Sequence, residues 1–204
     1  MDSRRLPHRF LTRLAPLLAM SLLAGALGGC AALIVGGAAA GAGAAHDRRS
    51  FGTVIDDQNI ELTAYDTLNK DKELALKNNV EIVVHNGVLL MIGETRTPEL
   101  RGRAEAMLRP IQGVRRIVNE IAIAEPPGLL TAANDSLLTS RAKVALFDIV
   151  DLPDFDPSRV NVSTQNSVVY LMGLVTQIEA ERVSEIVRTV PGVERVVKVF
   201  EYTD

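Results

Sequence analysis

The histidines and serines are the first candidates for acid–base, nucleophilic or metal chemistry, and their spacing favours none of these. His8 is near the N-terminus, His46 follows a Gly/Ala tract, and His85 is in a predicted hairpin turn, where solvent exposure is expected. No second ligand stands at metal spacing around them. The candidate serine nucleophiles have no adjacent base in a nucleophile-elbow context: Ser50, Ser136, Ser140 and Ser184. The pattern predicts a protein that is not an enzyme and has neither a metal nor a cofactor.

Two groups of acidic residues also receive structural interpretations. Asp56 and Asp57 precede a predicted helix, where carboxylates usually act as cap and dipole partners rather than as an acid/base pair. Asp151, Asp154 and Asp156, with Pro153 and Pro157, lie in a later segment, residues 148–157, which lacks the turn glycine and the terminal glutamate of an EF-hand. We interpret that segment as a solvated acidic loop.

The N-terminal segment has the three parts of an export signal. A basic region runs through Arg13, an apolar run covers residues 14–27, and small residues lead to Cys30. The apolar run is shorter than the roughly 20 residues that a spanning helix needs. Residues 1–29 are therefore predicted to be a signal peptide. The alternative is a spanning helix that continues through residues 31–35.

Cys30 is the only cysteine of the chain, and Leu27-Gly28-Gly29-Cys30 resembles the lipobox of bacterial lipoproteins. The resemblance implies a diacylglycerol on the Cys30 sulfur and acylation of the new amine after cleavage. Two or more acyl chains make membrane attachment essentially permanent. Ala31, in place of an aspartate, implies sorting to the outer membrane. Arg4-Arg5 leaves twin-arginine export open, but Pro7 stands where that route favours an aromatic residue, which favours the Sec route.

Charge and composition characterise the chain after residue 29. Without residues 1–29, 18 basic and 24 acidic residues remain, which gives a net charge near −6. A protein of that sign lacks the basic footprint of a nucleic-acid binder. Residues 36–45 contain only glycine and alanine. Residues 30–49 are accordingly predicted to be the lipidated cysteine and a flexible tether.

The rest of the chain contains an internal repeat. Residues 80–93 align with residues 160–173 at an offset of 80, and residues 112–118 align with residues 191–197 at an offset of 79. In each unit a β-rich run, a turn and a second β-rich run ending in glycine precede a helix, a Gly-Val pair and a last β-rich run. Asn86-Gly87 is a strong hairpin signal, and Asn166-Ser167 is a weaker one.

Helix signals complete each unit. Thr97-Pro98 predicts an N-cap and first helical residue, and Thr176 with Glu179 predicts a capping box. Amphipathic residues 58–69 and 136–149 predict a helix before each hairpin. Because strand–helix–strand crossovers are right-handed and parallel, each unit is expected to form a three-stranded mixed sheet with one apolar face, covered by two helices. The fold class is α+β, with two αββαβ units.

This order of elements resembles the BON domain, and two such units after a lipobox resemble the dual-BON lipoproteins of the outer membrane. The resemblance covers residues 47–204 and includes residues 49–57, 134–136 and 171–176. The predicted organisation is a signal peptide (1–29), an anchor and tether (30–49), BON domain 1 (50–125), a linker (126–133) and BON domain 2 (134–204).

The resemblance implies a lipid-anchored outer-membrane protein that faces the periplasm. It implies that the second domain binds anionic phospholipid in support of outer-membrane integrity, with the first domain as a scaffold. The lipid surface of the family centres on the first helix of domain 2, where Leu137 stands in place of a tryptophan.

The residues of that helix support the same surface. Leu138, Ala142 and Leu146 fit a core stripe, and the candidate phospholipid-binding residues lie away from it: Leu137, Arg141, Lys143, Val144 and Phe147. Apolar side chains could enter the acyl boundary while the cations meet phosphates. One alternative is that the outer apolar residues pack against the other domain. Another is a non-catalytic adaptor for outer-membrane protein assembly machinery or envelope stress response, using a strand edge such as residues 195–202.

Overall fold

In the computed structural model of the chain, residues 47–204 are described. The predicted signal peptide, Cys30 and the tether up to residue 46 lie outside the described residues. Within residues 47–204, no helix is long and apolar enough to cross a membrane. Residues 46–204 form one unit that contains both repeats.

Both repeats form helices and strands in the predicted order. The elements of the first repeat are α1 (Phe51–Asn69), α2 (Lys72–Lys77), β1 (Asn79–His85), β2 (Val88–Thr95), α3 (Pro98–Leu108), β3 (Arg116–Asn119) and β4 (Ala122–Ile123). Those of the second repeat are α4 (Leu129–Ala145), β5 (Val160–Gln165), β6 (Val168–Val175), α5 (Gln177–Arg188) and β7 (Arg195–Tyr202), with 3-10 turns at Leu146–Asp148 and Pro157–Arg159. The α+β prediction is confirmed, and α2 is an addition to it.

Each repeat has its own mixed sheet. β1 runs antiparallel to β2, which runs parallel to β3 and β4, and in the second repeat β5 is antiparallel and β7 parallel to β6. Both hairpins turn through two residues of positive φ, +51° at Asn86 and +71° at Gly87, and +49° at Asn166 and +61° at Ser167. These are the conformations that match the twist of paired strands. Both hairpin predictions are confirmed.

Gly93 and Gly173 occupy the same place in the two sheets. Gly93 lies opposite Val80, and Gly173 lies opposite Val160. A Cβ at Gly93 would stand 1.9 Å from the Asn79 carbonyl oxygen, and one at Gly173 would stand 2.5 Å from that of Arg159. Only glycine allows the neighbouring backbone to approach so closely. The offset of 80 therefore reflects one shared backbone.

The last strand differs between the repeats. β7 is continuous over eight residues, whereas the corresponding run in the first repeat is broken between β3 and β4. At the break, the Ile121 N–H donates to the Asn119 side-chain oxygen at 3.2 Å, while the Glu120 N–H donates to the Met91 carbonyl at 2.9 Å. β3 and β4 nevertheless keep the same register on β2, since Met91 lies opposite Asn119 and Glu94 lies opposite Ala122.

The helix termini also refine the predictions. Thr97 caps α3, and Thr176 with Glu179 forms the predicted capping box of α5. α1 and α4 each begin seven residues before the predicted starts at 58 and 136. Ser50 caps α1, and α4 starts directly after Pro126-Pro127-Gly128, so residues 129–133 of the predicted linker are helical.

The two sheets pack face to face, which makes the expectation of one apolar face per sheet wrong. Alternate residues of β1 and β2 face the helices of the first repeat, and the remaining ones meet the second sheet. The residues buried between the sheets come from both repeats: Val83, Val88, Leu90, Ile92, Tyr170, Met172 and Val199. β2 is consequently buried along its whole length. The layers are therefore helices, sheet, sheet and helices, with three apolar cores.

Candidate functional site

Helix α4 is fixed to its sheet by one apolar face and one buried carboxylate. Leu138 and Ala142 are buried under it, and Leu146 continues the same face in the following 3-10 turn. Asp135 is 4% exposed and accepts hydrogen bonds from the N–H groups of Asn166 (2.8 Å) and Ser167 (2.9 Å). Because those N–H groups belong to the hairpin turn, Asp135 joins the helix to the end of the sheet.

Asp57 makes the same connection in the first repeat. Its carboxylate accepts from the N–H groups of Asn86 at 2.6 Å and Gly87 at 2.7 Å. The interpretation of Asp57 as a helix cap is wrong, since α1 starts at Phe51 and Asp57 lies in its second turn. The sequence signal for this role is a similar spacing, because Asp57 precedes Asn86 by 29 residues and Asp135 precedes Asn166 by 31.

The outer face of α4 exposes the predicted apolar residues. Leu137 is 56% exposed, Val144 is 67% exposed, and Phe147, in the 3-10 turn, is 71% exposed. The alternative that Leu137 and Val144 pack against the first domain is not supported by these values. A helix advances about 100° per residue, so Leu137 and Val144 project on the same side, away from Leu138 and Ala142.

The two predicted cations lie on opposite flanks of these residues. Arg141 and Lys143 are exposed and are about 200° apart around the helix. Arg141 lies beside Val144 on the rim of a mostly apolar groove of about 440 Å³. Lys143 instead lines a polar groove of about 590 Å³ together with Glu61 and Glu81 of the first domain. Within residues 47–204, neither cation has a partner in an ion pair.

The sequence reasoning missed the first turn of α4. Leu129 and Leu130 are 91% and 88% exposed, more than any other described large apolar residue. Leu130, Leu137 and Val144 are spaced by seven residues, so they form one stripe along the helix. We call the residues of this face the α4 stripe: Leu129, Leu130, Leu137, Val144 and Phe147. Pro126-Pro127-Gly128 is the sequence signal that marks the earlier helix start.

His85 differs from the prediction. It was expected to be exposed in a turn, but it is the last residue of β1 and only 5% exposed. Burial, with the positive charge of Arg49, lowers the pKa of His85 to about 4. The imidazole is therefore neutral near pH 7. Among the described residues, no group of three or more His, Cys, Asp or Glu side chains is arranged to hold a metal ion.

Two aspartates of the acidic segment at residues 148–157 have partners that hold part of the segment in place. Asp151 pairs with Arg182 at 3.0 Å, and Asp156 caps the 3-10 turn that leads into β5 by accepting from the Ser158 N–H at 2.8 Å. The segment follows Phe147 directly and carries negative charge to the C-terminal end of the α4 stripe. A negatively charged ligand on this helix would therefore approach Arg141 rather than the segment at 148–157.

The sequence matches the BON domain model twice, at residues 56–125 and 134–204. This places the chain in the BON-domain family, and two such domains follow one another in it. The chain is 33% identical to the outer membrane lipoprotein DolP of Haemophilus influenzae, over 94% of this chain and 99% of that protein. It is also 32% identical to a 21 kDa hemolysin of Actinobacillus pleuropneumoniae, over 76% of this chain and 79% of that protein.

Proposed function

We propose that this protein is a lipoprotein anchored in the outer membrane through Cys30, facing the periplasm, that binds anionic phospholipid through its second BON domain and supports outer-membrane integrity. The observation that carries the proposal is the α4 stripe, an exposed apolar ridge with Arg141 and Lys143 on its flanks. The similarity to an outer membrane lipoprotein over nearly the whole of both chains supports the location. No catalytic step is part of the function.

The energetics of the stripe suit an interfacial helix. Burying one leucine side chain contributes about 1.5–3 kcal/mol, so a few residues of the stripe are enough for reversible binding to a bilayer. A cation near an anionic surface adds about 1 kcal/mol. Since the mature chain is near −6, this attraction is local to Arg141 and Lys143, and binding should weaken as salt is raised.

Flotation of residues 46–204 with phospholipid vesicles tests the lipid surface. We expect Leu137→Glu to reduce binding to vesicles containing anionic phospholipid by tenfold or more, because it removes apolar area and adds repulsion. The melting temperature should stay nearly constant, since position 137 is exposed. Leu62→Glu is the matched control, because Leu62 is also exposed on a first helix but belongs to domain 1. Equal losses in the two variants would remove the α4 stripe as the lipid site.

The anchor has a separate test. We expect Cys30→Ser to accumulate as an unprocessed precursor, because serine has no sulfur to form the thioether that precedes cleavage. Metabolic labelling with palmitate reports the outcome. Equal labelling of the variant and the natural protein would eliminate Cys30 as the attachment point.

A second candidate function is an adaptor for the outer-membrane assembly machinery or for envelope stress signalling. The observation in its favour is β7, an eight-residue strand at the edge of its sheet whose partner strand, within the described residues, is β6 alone. Such an edge can add a strand from another chain. Unchanged flotation of Leu137→Glu with an intact melt would favour this function over lipid binding.

A further inference from the structure

The residues just before α1 contact both BON domains. Asp47, Arg48 and Arg49 are half-buried. Arg49 begins the segment 49–57, which has no role in the proposed lipid surface. Because Arg48 and Arg49 are adjacent, with Cα atoms about 3.8 Å apart, the groups that their side chains bind are linked through a single peptide unit. Their side chains reach buried carboxylates in different domains.

Arg48 binds the second domain. Its Nη1 donates to Oε2 of Glu179 at 2.6 Å and its Nη2 to Oε1 at 3.0 Å, and Nη1 also donates to the Leu174 carbonyl at 3.3 Å. Glu179 is buried and closes the capping box of α5 by accepting from the Thr176 N–H at 2.7 Å. Burial alone would raise the pKa of Glu179, but the hydrogen bonds from Arg48 and Thr176 outweigh it and lower that pKa. The pair is therefore bidentate and charged.

Arg49 binds the first domain. Its Nη1 donates to Oδ2 of Asp57 at 2.7 Å, on the carboxylate that holds the Asn86–Gly87 turn. Asp47 accepts from the Arg49 Nε at 3.1 Å and from its Nη2 at 2.6 Å, which keeps the guanidinium directed at Asp57. Each arginine thus neutralises a carboxylate that already organises its own domain.

Other polar contacts also cross the domain interface. At the end nearest residues 47–49, Glu201 of the second domain accepts from the Asn86 side chain at 3.0 Å and from Arg115. A further set crosses the far end. Glu94 of the first domain is fully buried and accepts from Gln165 Nε2 at 3.0 Å, from the Asn166 side chain and, within its own domain, from Asn79. Apolar contact between the sheets is non-directional, whereas charge-assisted hydrogen bonds fix distance and angle. The interface is consequently apolar in the middle and held by polar contacts at its two ends.

We propose that residues 47–49 are a clasp that fixes the orientation of the two BON domains and binds the end of the N-terminal tether into their interface. Rotation of one domain against the other would break either the Arg48–Glu179 or the Arg49–Asp57 contact. If the proposed anchoring at Cys30 is correct, the clasp also fixes the point at which the chain that leads to Cys30 enters the domain pair.

The test measures the domain orientation without lipid, so its result is independent of the proposed function. Residues 46–204 contain no cysteine, since Cys30 is the only one in the chain. Spin labels on Leu62→Cys and Ile178→Cys, both exposed and in different domains, report one inter-domain distance. We expect a narrow distance distribution for this pair, and a clear broadening when Arg48→Ala and Arg49→Ala are added.

Arg109→Ala is the matched control, because Arg109, at the C-terminal end of α3, pairs with Glu105 of the same domain. It should leave the distribution unchanged. Arg48→Lys keeps the charge but loses the bidentate geometry, and it should broaden the distribution to an intermediate degree even if the double variant does not fold. A distribution for both the double variant and Arg48→Lys that is as narrow as that of the parent pair would overturn the clasp.

Discussion

The first helices of the two domains, α1 and α4, share a buried face and differ on the outer one. Corresponding residues are 78 positions apart, as the two turn-holding aspartates Asp57 and Asp135 establish. The buried pairs are nearly unchanged: Ile60 and Leu138, Ala64 and Ala142, Leu68 and Leu146. The outer pairs are unlike: Asn59 and Leu137, Thr63 and Arg141, Asp66 and Val144. The two helices therefore share their buried face, while the outer face of α4 alone is both apolar and basic.

Charge separates the helices more clearly than hydrophobicity does. α1 also exposes apolar residues, namely Phe51, Ile55 and Leu62. It contains four acidic residues and no basic one, whereas α4 contains two basic residues and, as its only acid, the buried Asp135. An anionic surface would repel α1 and attract α4. An exposed apolar side chain is therefore a candidate contact for anionic lipid only where the charge beside it is positive.

The largest effect is expected where the two helices are alike. Asp135→Ala leaves two N–H groups of the hairpin turn without their buried acceptor and should lower the free energy of unfolding by about 3 kcal/mol. Asp57→Ala should have a comparable effect. Urea unfolding measures both, with Asn134→Ala as the exposed control, expected within about 0.5 kcal/mol. A loss under about 1 kcal/mol would mean that the turns do not depend on these carboxylates.

An intermediate effect on stability is expected at the end of β1, where His85 corresponds to Gln165 at the end of β5. The pKa of His85 is about 4 in the folded protein, below its ordinary value of 6.5, so the unfolded chain takes up the proton first. The contribution of the neutral, buried His85 to the free energy of unfolding is therefore fully present above pH 6.5 and is lost as the pH falls toward 4. Between pH 7 and pH 5 the loss should be about 2 kcal/mol.

His85→Gln, which installs the residue of the second domain, should remove this part of the pH dependence. Urea unfolding at the two pH values, in the variant and the natural sequence, isolates the contribution of the histidine from that of the carboxylates. Identical pH dependence in both proteins would show that His85 is not protonated on unfolding in this range.

The smallest effect is expected from exchanging the outer faces. Val144→Asp gives α4 the residue that α1 carries at Asp66, and it should weaken binding to anionic vesicles about tenfold, equivalent to about 1.4 kcal/mol. The reciprocal Asp66→Val frees Lys70, which pairs with Asp66 at 2.7 Å, but it leaves Asp56 and Glu61 on α1. It should therefore not create binding by α1, because these carboxylates repel an anionic surface. Vesicle titration with residues 46–204 measures both variants. Binding gained through Asp66→Val would show that the remaining carboxylates of α1 do not prevent it.

Much of the fold was readable in the sequence because its signals are local. The turn pairs Asn86-Gly87 and Asn166-Ser167, the caps at Thr97 and Thr176, and the offset of 80 between Gly93 and Gly173 each depend on residues close together in the chain or on a repeated pattern. Backbone conformation at such positions is limited by sterics and local hydrogen bonds. The outer face of α4 was predictable for the same reason, since helical periodicity assigns faces without any partner.

Three features were decided only by the tertiary structure. The continuous apolar run of β2 is compatible with burial on both faces, but its second face is covered by residues of the other repeat, such as Tyr170 and Met172. Asp57 was interpreted as a helix cap, whereas its partners are the N–H groups of the hairpin turn at residues 86 and 87. His85 was predicted to be an exposed turn residue, but it is the last residue of β1 and is buried. In each case the partner is distant in sequence, so the sequence by itself determined which groups need a partner, and tertiary packing, within a domain for Asp57 and between domains for β2, decided where the partner was found.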